Sequence, residues 1–113
     1  MAERATFFAS SLHRVDELDN DQAILIEPLA VGLHAAGRLG YLAGKAVAII
    51  GGGTIGLLSA VSAKAFGASE VALFTRYPHQ EELAGRLGTT NVHTTAPGND
   101  ARYEGVIDSV ASV

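Results

Sequence analysis

The 113-residue sequence predicts an α/β fold with a parallel sheet and flanking helices. Three observations carry that expectation. Two short, almost uniformly apolar runs, residues 45–50 (KAVAII) and 70–75 (EVALFT), suit strands buried on both faces of a sheet. Each is followed by a helical segment with glycine just past its end, 54–66 before Gly67 and 78–87 before Gly88. Strand and helix alternate at the spacing of successive βαβ units.

The elements follow in order. Residues 1–21 read as an irregular lead-in. Phe7, Phe8 and Leu12 are available there for docking, and Asp16, Glu17, Asp19 and Asp21 make its end polar. Asp19 followed by Gln22 has the spacing of a capping box. From Gln22 to about Arg38 the pattern is helical, with Leu25, Leu29 and either Gly32 or Leu33 on one face. Pro28 is expected to kink this helix or mark a restart after Glu27, and Gly37 and Gly40 supply its stop. Small Ala and Ser residues in 54–66 permit close packing on the sheet. The second crossover helix starts at Pro78 or His79. Residues 91–93 read as a brief third strand, 97–102 as a polar turn and 103–110 (YEGVIDSV) as a fourth strand.

Composition narrows the function. Eight Lys/Arg against twelve Asp/Glu, with no basic tract, argue against nucleic acid. Cysteine is absent, which excludes disulfides and thiolate metal sites and is compatible with a cytoplasmic setting. The first residues carry early acidic groups and no apolar core of a secretory signal. Residues 46–63 are apolar over about a membrane thickness, but Gly51, Gly52, Gly53 and Gly56 break them into strand, turn and helix, so no membrane span is expected.

Gly51, Gly53 and Gly56 spell G-x-G-x-x-G between a predicted strand and a predicted helix. That context makes the pattern a dinucleotide fingerprint and the fold a partial Rossmann fold over 22–113. Gly51 takes the tight turn, Gly53 lets the backbone approach a pyrophosphate, and Gly56 lets the helix lie close to the strand. The N–H groups of Gly53, Thr54 and Ile55 then face phosphate charge at a helix N-terminus. Gly52 has no evident role. No Lys-Ser/Thr pair follows, so the turn is not a nucleoside-triphosphate P-loop.

An NAD site carries Asp or Glu at the end of the second strand, where it bonds the adenosine ribose. Thr75 and Arg76 occupy that place. A carboxylate would repel a 2′-phosphate, whereas threonine can donate a hydrogen bond and arginine several charge-assisted ones. Tyr77 is placed to stack near the adenine and His79 to reach the same phosphate. The expected cofactor is therefore NADP(H) in preference to NAD(H). An S-adenosylmethionine-dependent methyltransferase also has glycines after its first strand, but it too wants an acidic residue where Thr75 stands.

Further motifs surround the glycine turn: Glu27-Pro28-Leu29-Ala30-Val31, His34-Ala35, Gly44-Lys45, GGGTIG at 51–56, Ala63-Lys64, Gly67-Ala68, and Glu82-Leu83-Ala84 running to Leu87-Gly88. Between about residues 20 and 110 their order resembles the medium-chain, zinc-dependent alcohol dehydrogenase superfamily, in particular its sorbitol and threonine dehydrogenase-like branch. The resemblance implies a Rossmann coenzyme domain of a two-domain enzyme that moves hydride between a secondary alcohol or polyol and a nicotinamide. It matches Gly51, Gly53 and Gly56 to the coenzyme glycines and Thr75 to the position that is Asp in NAD-dependent members. Residues 106–110 match a strand that ends near the nicotinamide. Glu27 matches the Glu of an EPLA motif near the catalytic zinc and is the one candidate metal ligand.

The sequence departs from that family in length and in lacking every cysteine of the usual zinc sites. The expectation is an incomplete domain that is not catalytic alone and takes zinc only if a catalytic domain is supplied. Its expected partners are the nicotinamide dinucleotide and either such a catalytic domain or a second copy of itself. A non-enzymatic structural or regulatory nucleotide-binding domain is the second reading. His13, His34, His79 and His93 have no close ligand spacing, although His34 lies on nearly the same helical face as Glu27. Asp108 reads as a structural residue at the sheet edge.

Overall fold

A computed structural model describes residues 3–89, 91–95, 97–98 and 101–110. They form four strands, β1 (Ala46–Ile50), β2 (Glu70–Phe74), β3 (Asn91–His93) and β4 (Gly105–Asp108). The helices are α1 (Asn20–Ala23), α2 (Ile26–Arg38), α3 (Thr54–Ala65) and α4 (Pro78–Arg86), with one 3-10 turn at Ala9–Ser11. The sheet runs β3-β2-β1-β4 and every pair is parallel. The chain thus builds outward from β1 through β2 to β3 and then returns to β1's other side. The reversal leaves a crevice at the carboxyl ends of β1 and β4, where ligands of such sheets bind.

One face of the sheet carries the main core. Val47, Ile49, Leu73 and Ile107 pack there against Ala36 of α2, Leu57, Ala60 and Ala63 of α3 and Ala84 of α4. Small residues set this packing. A Cβ on Gly32 would come within 2.9 Å of the Leu58 and Ser59 backbone, so α2 lies almost directly on α3. Gly32 is therefore the contact residue, and Leu33 is exposed. The opposite face is smaller: Ala48, Ala72 and Phe74, with the His93 ring stacked on Phe74 at 5.0 Å and Tyr103 edge-on at 6.1 Å. Both faces of β1 and β2 are thereby covered, as their apolar runs predict.

The glycine stops act as expected at Gly40, Gly67 and Gly88, each of which has positive φ just past its helix, whereas Gly37 lies inside α2 and does not end it. The capping box of Asp19 and Gln22 forms in both directions. Two boundaries differ from expectation. The break that Pro28 enforces lies at Ile24–Leu25, before Ile26 rather than after Glu27. A proline ring excludes the carbonyl four residues back, here that of Ile24, so Pro28 sits in the first turn of α2, where its missing N–H costs nothing. The fourth strand is also shorter than 103–110. Glu104 and Ser109 still donate backbone bonds to Ala46 and Ile50, but Tyr103 turns onto Phe74 and the Val110 N–H closes on the Asp108 carboxylate at 2.9 Å. The turn expected at 97–102 lies partly outside the described residues. The expected docking residues Phe7, Phe8 and Leu12 are exposed.

Candidate functional site

The turn leaving β1 is held by its neighbours. Gly51 has φ +105°, and its N–H donates to the Phe74 carbonyl at 2.8 Å. A side chain there would also meet Ser109 Oγ and Val110 at 2.7 Å. Ser109 Oγ donates to the Ile50 carbonyl at 2.8 Å, which fastens the end of β4 to the start of the turn. A Cβ on Gly56 would lie well inside van der Waals contact with the Gly51 carbonyl oxygen, so the first turn of α3 can lie this close to the strand end only with a glycine at this position. Gly53 is the contrast: it caps α3 in extended conformation, and nothing lies within 4 Å of where its Cβ would be. The first-turn N–H groups of α3, which include Thr54 and Ile55, have no acceptor within the helix.

Beside this turn, a cleft of about 480 Å³ opens at the carboxyl ends of β1, β2 and β4. Gly51, Gly53, Thr75, Arg76 and Tyr77 all line it, together with Ile50, Gly52, Phe74, Gln80, Thr94, Thr95, Ser109 and Val110. Thr54, Ile55 and Gly56 stand behind it in the first turn of α3. Arg76 is the one formally charged group among the lining residues. Its guanidinium lies 5.9 Å from the Tyr77 ring, and that ring stacks on His79 at 5.7 Å and 9°. Thr75 is buried, its N–H donates to His93 at 2.7 Å, and its hydroxyl is enclosed without a partner. It would need to rotate about χ1 to reach into the cleft.

Three parts of this wall have no signature in the sequence. Gly52 proves to be steric, since a Cβ would meet Thr75 Cγ2 at 2.6 Å and Gln80 at 2.9 Å. Thr94–Thr95 arrive by tertiary contact from beyond β3, and Gln80, which caps the start of α4 locally, reaches the glycine turn only through the fold.

Glu27 lies elsewhere, exposed in the first turn of α2, with His34 two turns further on and also exposed. Among the described residues no three of His, Cys, Asp and Glu converge as a metal-binding group. By themselves, one exposed carboxylate and a single histidine on its helix offer too few donors for zinc, so Glu27 would serve as a ligand only with donors from outside the described residues. The cleft instead brings together an open glycine, a helix N-terminus and a single cation, a donor set chemically suited to phosphate groups. Among the described residues no helix is long and apolar enough to cross a membrane.

No family model matches the chain. It is 40% identical over 77 residues to sorbitol dehydrogenase of Bacillus subtilis, an alignment covering 68% of this chain and 22% of that enzyme. Among solved structures, a Clostridium scindens protein described as a zinc-binding dehydrogenase superposes with a TM-score of 0.74 at 30% identity, over 87% of this chain and 30% of the other. The chain belongs to the medium-chain alcohol dehydrogenase superfamily. A further superfamily structure, a Sinorhizobium meliloti protein also described as a zinc-binding dehydrogenase, was solved bound to NADP. It matches at 37% identity and a TM-score of 0.53, over 72% of this chain and 20% of that one. The aligned part thus spans about a fifth to a third of the medium-chain dehydrogenases it resembles.

Proposed function

We propose that this chain provides the coenzyme grip of an alcohol or polyol dehydrogenase-type oxidoreductase, and that its cleft takes NADP(H) in preference to NAD(H). The observation that carries the reading is the charge of the cleft. A carboxylate at the end of β2 would favour a free ribose, but the lining there holds Thr75 and then Arg76. The pyrophosphate lies over Gly53, where no side chain intrudes, with the N–H groups of Thr54 and Ile55 toward it. The adenosine end lies toward the Thr75–Tyr77 corner. Arg76 meets the 2′-phosphate with charge-assisted bonds, and Thr75 contributes a short neutral wall there. When bound, the nicotinamide accepts or delivers hydride; the protein's part is to orient it. The NADP in the Sinorhizobium relative supports this coenzyme class. Hydride transfer to an alcohol further requires a group that polarises the substrate oxygen, which belongs to the whole enzyme rather than to this cleft.

Calorimetric titration of the full chain with NADPH and with NADH tests the reading. Saturable NADPH binding, at least about tenfold tighter than NADH, is expected from charge-assisted contacts of this kind. Equal affinities would remove the preference, and no binding by folded protein would remove the function.

A further inference from the structure

We infer that Gln80 is a positioning residue for coenzyme choice: its carboxamide ties the glycine turn to the corner after β2 and so sets where Arg76 stands. The inference rests on the reading of the cleft as an NADP(H) site. Gln80 lies in the first turn of α4, and its own N–H donates to the Tyr77 carbonyl at 3.0 Å. Its side-chain Oε1 then turns back and accepts two backbone N–H groups, those of Arg76 at 3.1 Å and Tyr77 at 3.2 Å. A single oxygen thus orders both peptides that aim the Arg76 and Tyr77 side chains. The same oxygen lies against the glycine turn, because a Cβ on Gly52 would come within 2.9 Å of it. The carboxamide is therefore held between the turn assigned to the pyrophosphate and the loop assigned to the 2′-phosphate.

Arg76 needs such a support. Among the described residues its guanidinium makes no hydrogen bond or ion pair, and its one directed contact is the face of Tyr77. A long exposed side chain with so little fixing it is placed mainly by its backbone. The chemistry of glutamine fits the task. A neutral oxygen accepts both N–H groups without setting a negative charge beside a phosphate, which glutamate would do. A methionine of similar length would leave both N–H groups without this acceptor.

The test compares Gln80→Met and Gln80→Glu in the full chain, alone and with Arg76→Ala, using NADPH and NADH titrations and amide hydrogen exchange. Gln80→Met is expected to weaken NADPH about five- to tenfold and NADH by no more than about twofold, and to speed exchange at the Arg76 and Tyr77 amides. In the Arg76→Ala background it should cost nothing further, because Gln80 acts through Arg76. Gln80→Glu should keep the amide protection yet still lose NADPH preference, which separates order from charge. An equal loss of both nucleotides, or an undiminished loss without Arg76, would overturn the positioning role. So would unchanged exchange in Gln80→Met. Absence of NADPH binding by the unsubstituted chain would instead overturn the cofactor reading and the coenzyme role of Gln80 with it. That outcome is distinct from a chain that discriminates equally well with and without Gln80.

Discussion

At the amino ends of the strands, polar groups are spent on one another. Glu104 accepts the Ala46 N–H at 2.6 Å, the Lys64 ammonium sits on the Gly88 carbonyl, and Asn91 donates to Glu70 at 2.5 Å. The buried Thr89 hydroxyl is the exception there. At the carboxyl ends of the same strands, the Arg76 guanidinium has no anion among the described residues, the Thr75 hydroxyl has no partner, and the space over Gly53 is open. One end closes the fold and the other holds its hydrogen-bonding capacity in reserve. That difference supports placing the proposed nucleotide site at the carboxyl ends, where the one cation of the cleft and the open glycine stand together.

The second and third glycines of the motif sharpen this contrast most. Gly56→Ala places a methyl group on the Gly51 carbonyl, and backbone has little room to give. We expect a loss of about 3 kcal/mol or more in urea unfolding. Gly53→Ala, only three residues away, meets nothing and has an ordinary φ of −74°. Its stability should stay within about 0.5 kcal/mol of the unsubstituted chain. NADPH should nevertheless bind at least about tenfold more weakly, since the methyl occupies the space assigned to the pyrophosphate. If both variants lost stability alike, Gly53 would be a structural glycine and the reserve at this end would be smaller than it looks.

How much of this is legible in the sequence follows the range of each interaction. The first three strands, the helix stops at Gly40, Gly67 and Gly88 and the roles of Gly51 and Gly56 follow from period and spacing and lie where expected, whereas the fourth strand is shorter than its apolar run. The restart in the α1–α2 segment falls a few residues from its expected place because Pro28 acts on the carbonyl of Ile24 rather than on its immediate neighbour. Gly52 is not legible at all. Its reasons are two side chains distant in sequence, Thr75 at 2.6 Å and Gln80 at 2.9 Å, neither of which advertises a contact with the glycine turn. The corner at Thr75 and Arg76 is legible as chemistry, but the inward turn of the Thr75 hydroxyl is not.

Arg76→Ala tests the charge side of the comparison. The side chain is exposed and unpaired among the described residues, so unfolding free energy should change by less than about 0.5 kcal/mol. Lost charge-assisted bonds to a 2′-phosphate correspond to about a tenfold weaker NADPH complex, with NADH within about twofold. Because this contact is at the surface, the NADPH preference of the unsubstituted chain should also shrink as salt is raised from about 0.05 to about 0.5 M. A preference insensitive to both changes would mean that Arg76 is a solvated surface residue.

The smallest effect belongs to the closed end. Glu104 sits just before β4, and its carboxylate takes the N–H that begins β1, so it joins the two neighbours of the crevice at the end away from the cleft. Glu104→Ala removes an exposed, charge-assisted bond, and water can replace the lost acceptor. The cost should be about 0.5–1 kcal/mol in urea unfolding. Nucleotide affinities should not move, because the Ala46–Ile50 ladder to β4 continues through Ser109, whose hydroxyl holds the glycine turn independently. A clear loss of NADPH affinity in this variant would show that the sheet carries strain from one end to the other, and that closed and open ends are a single mechanical unit.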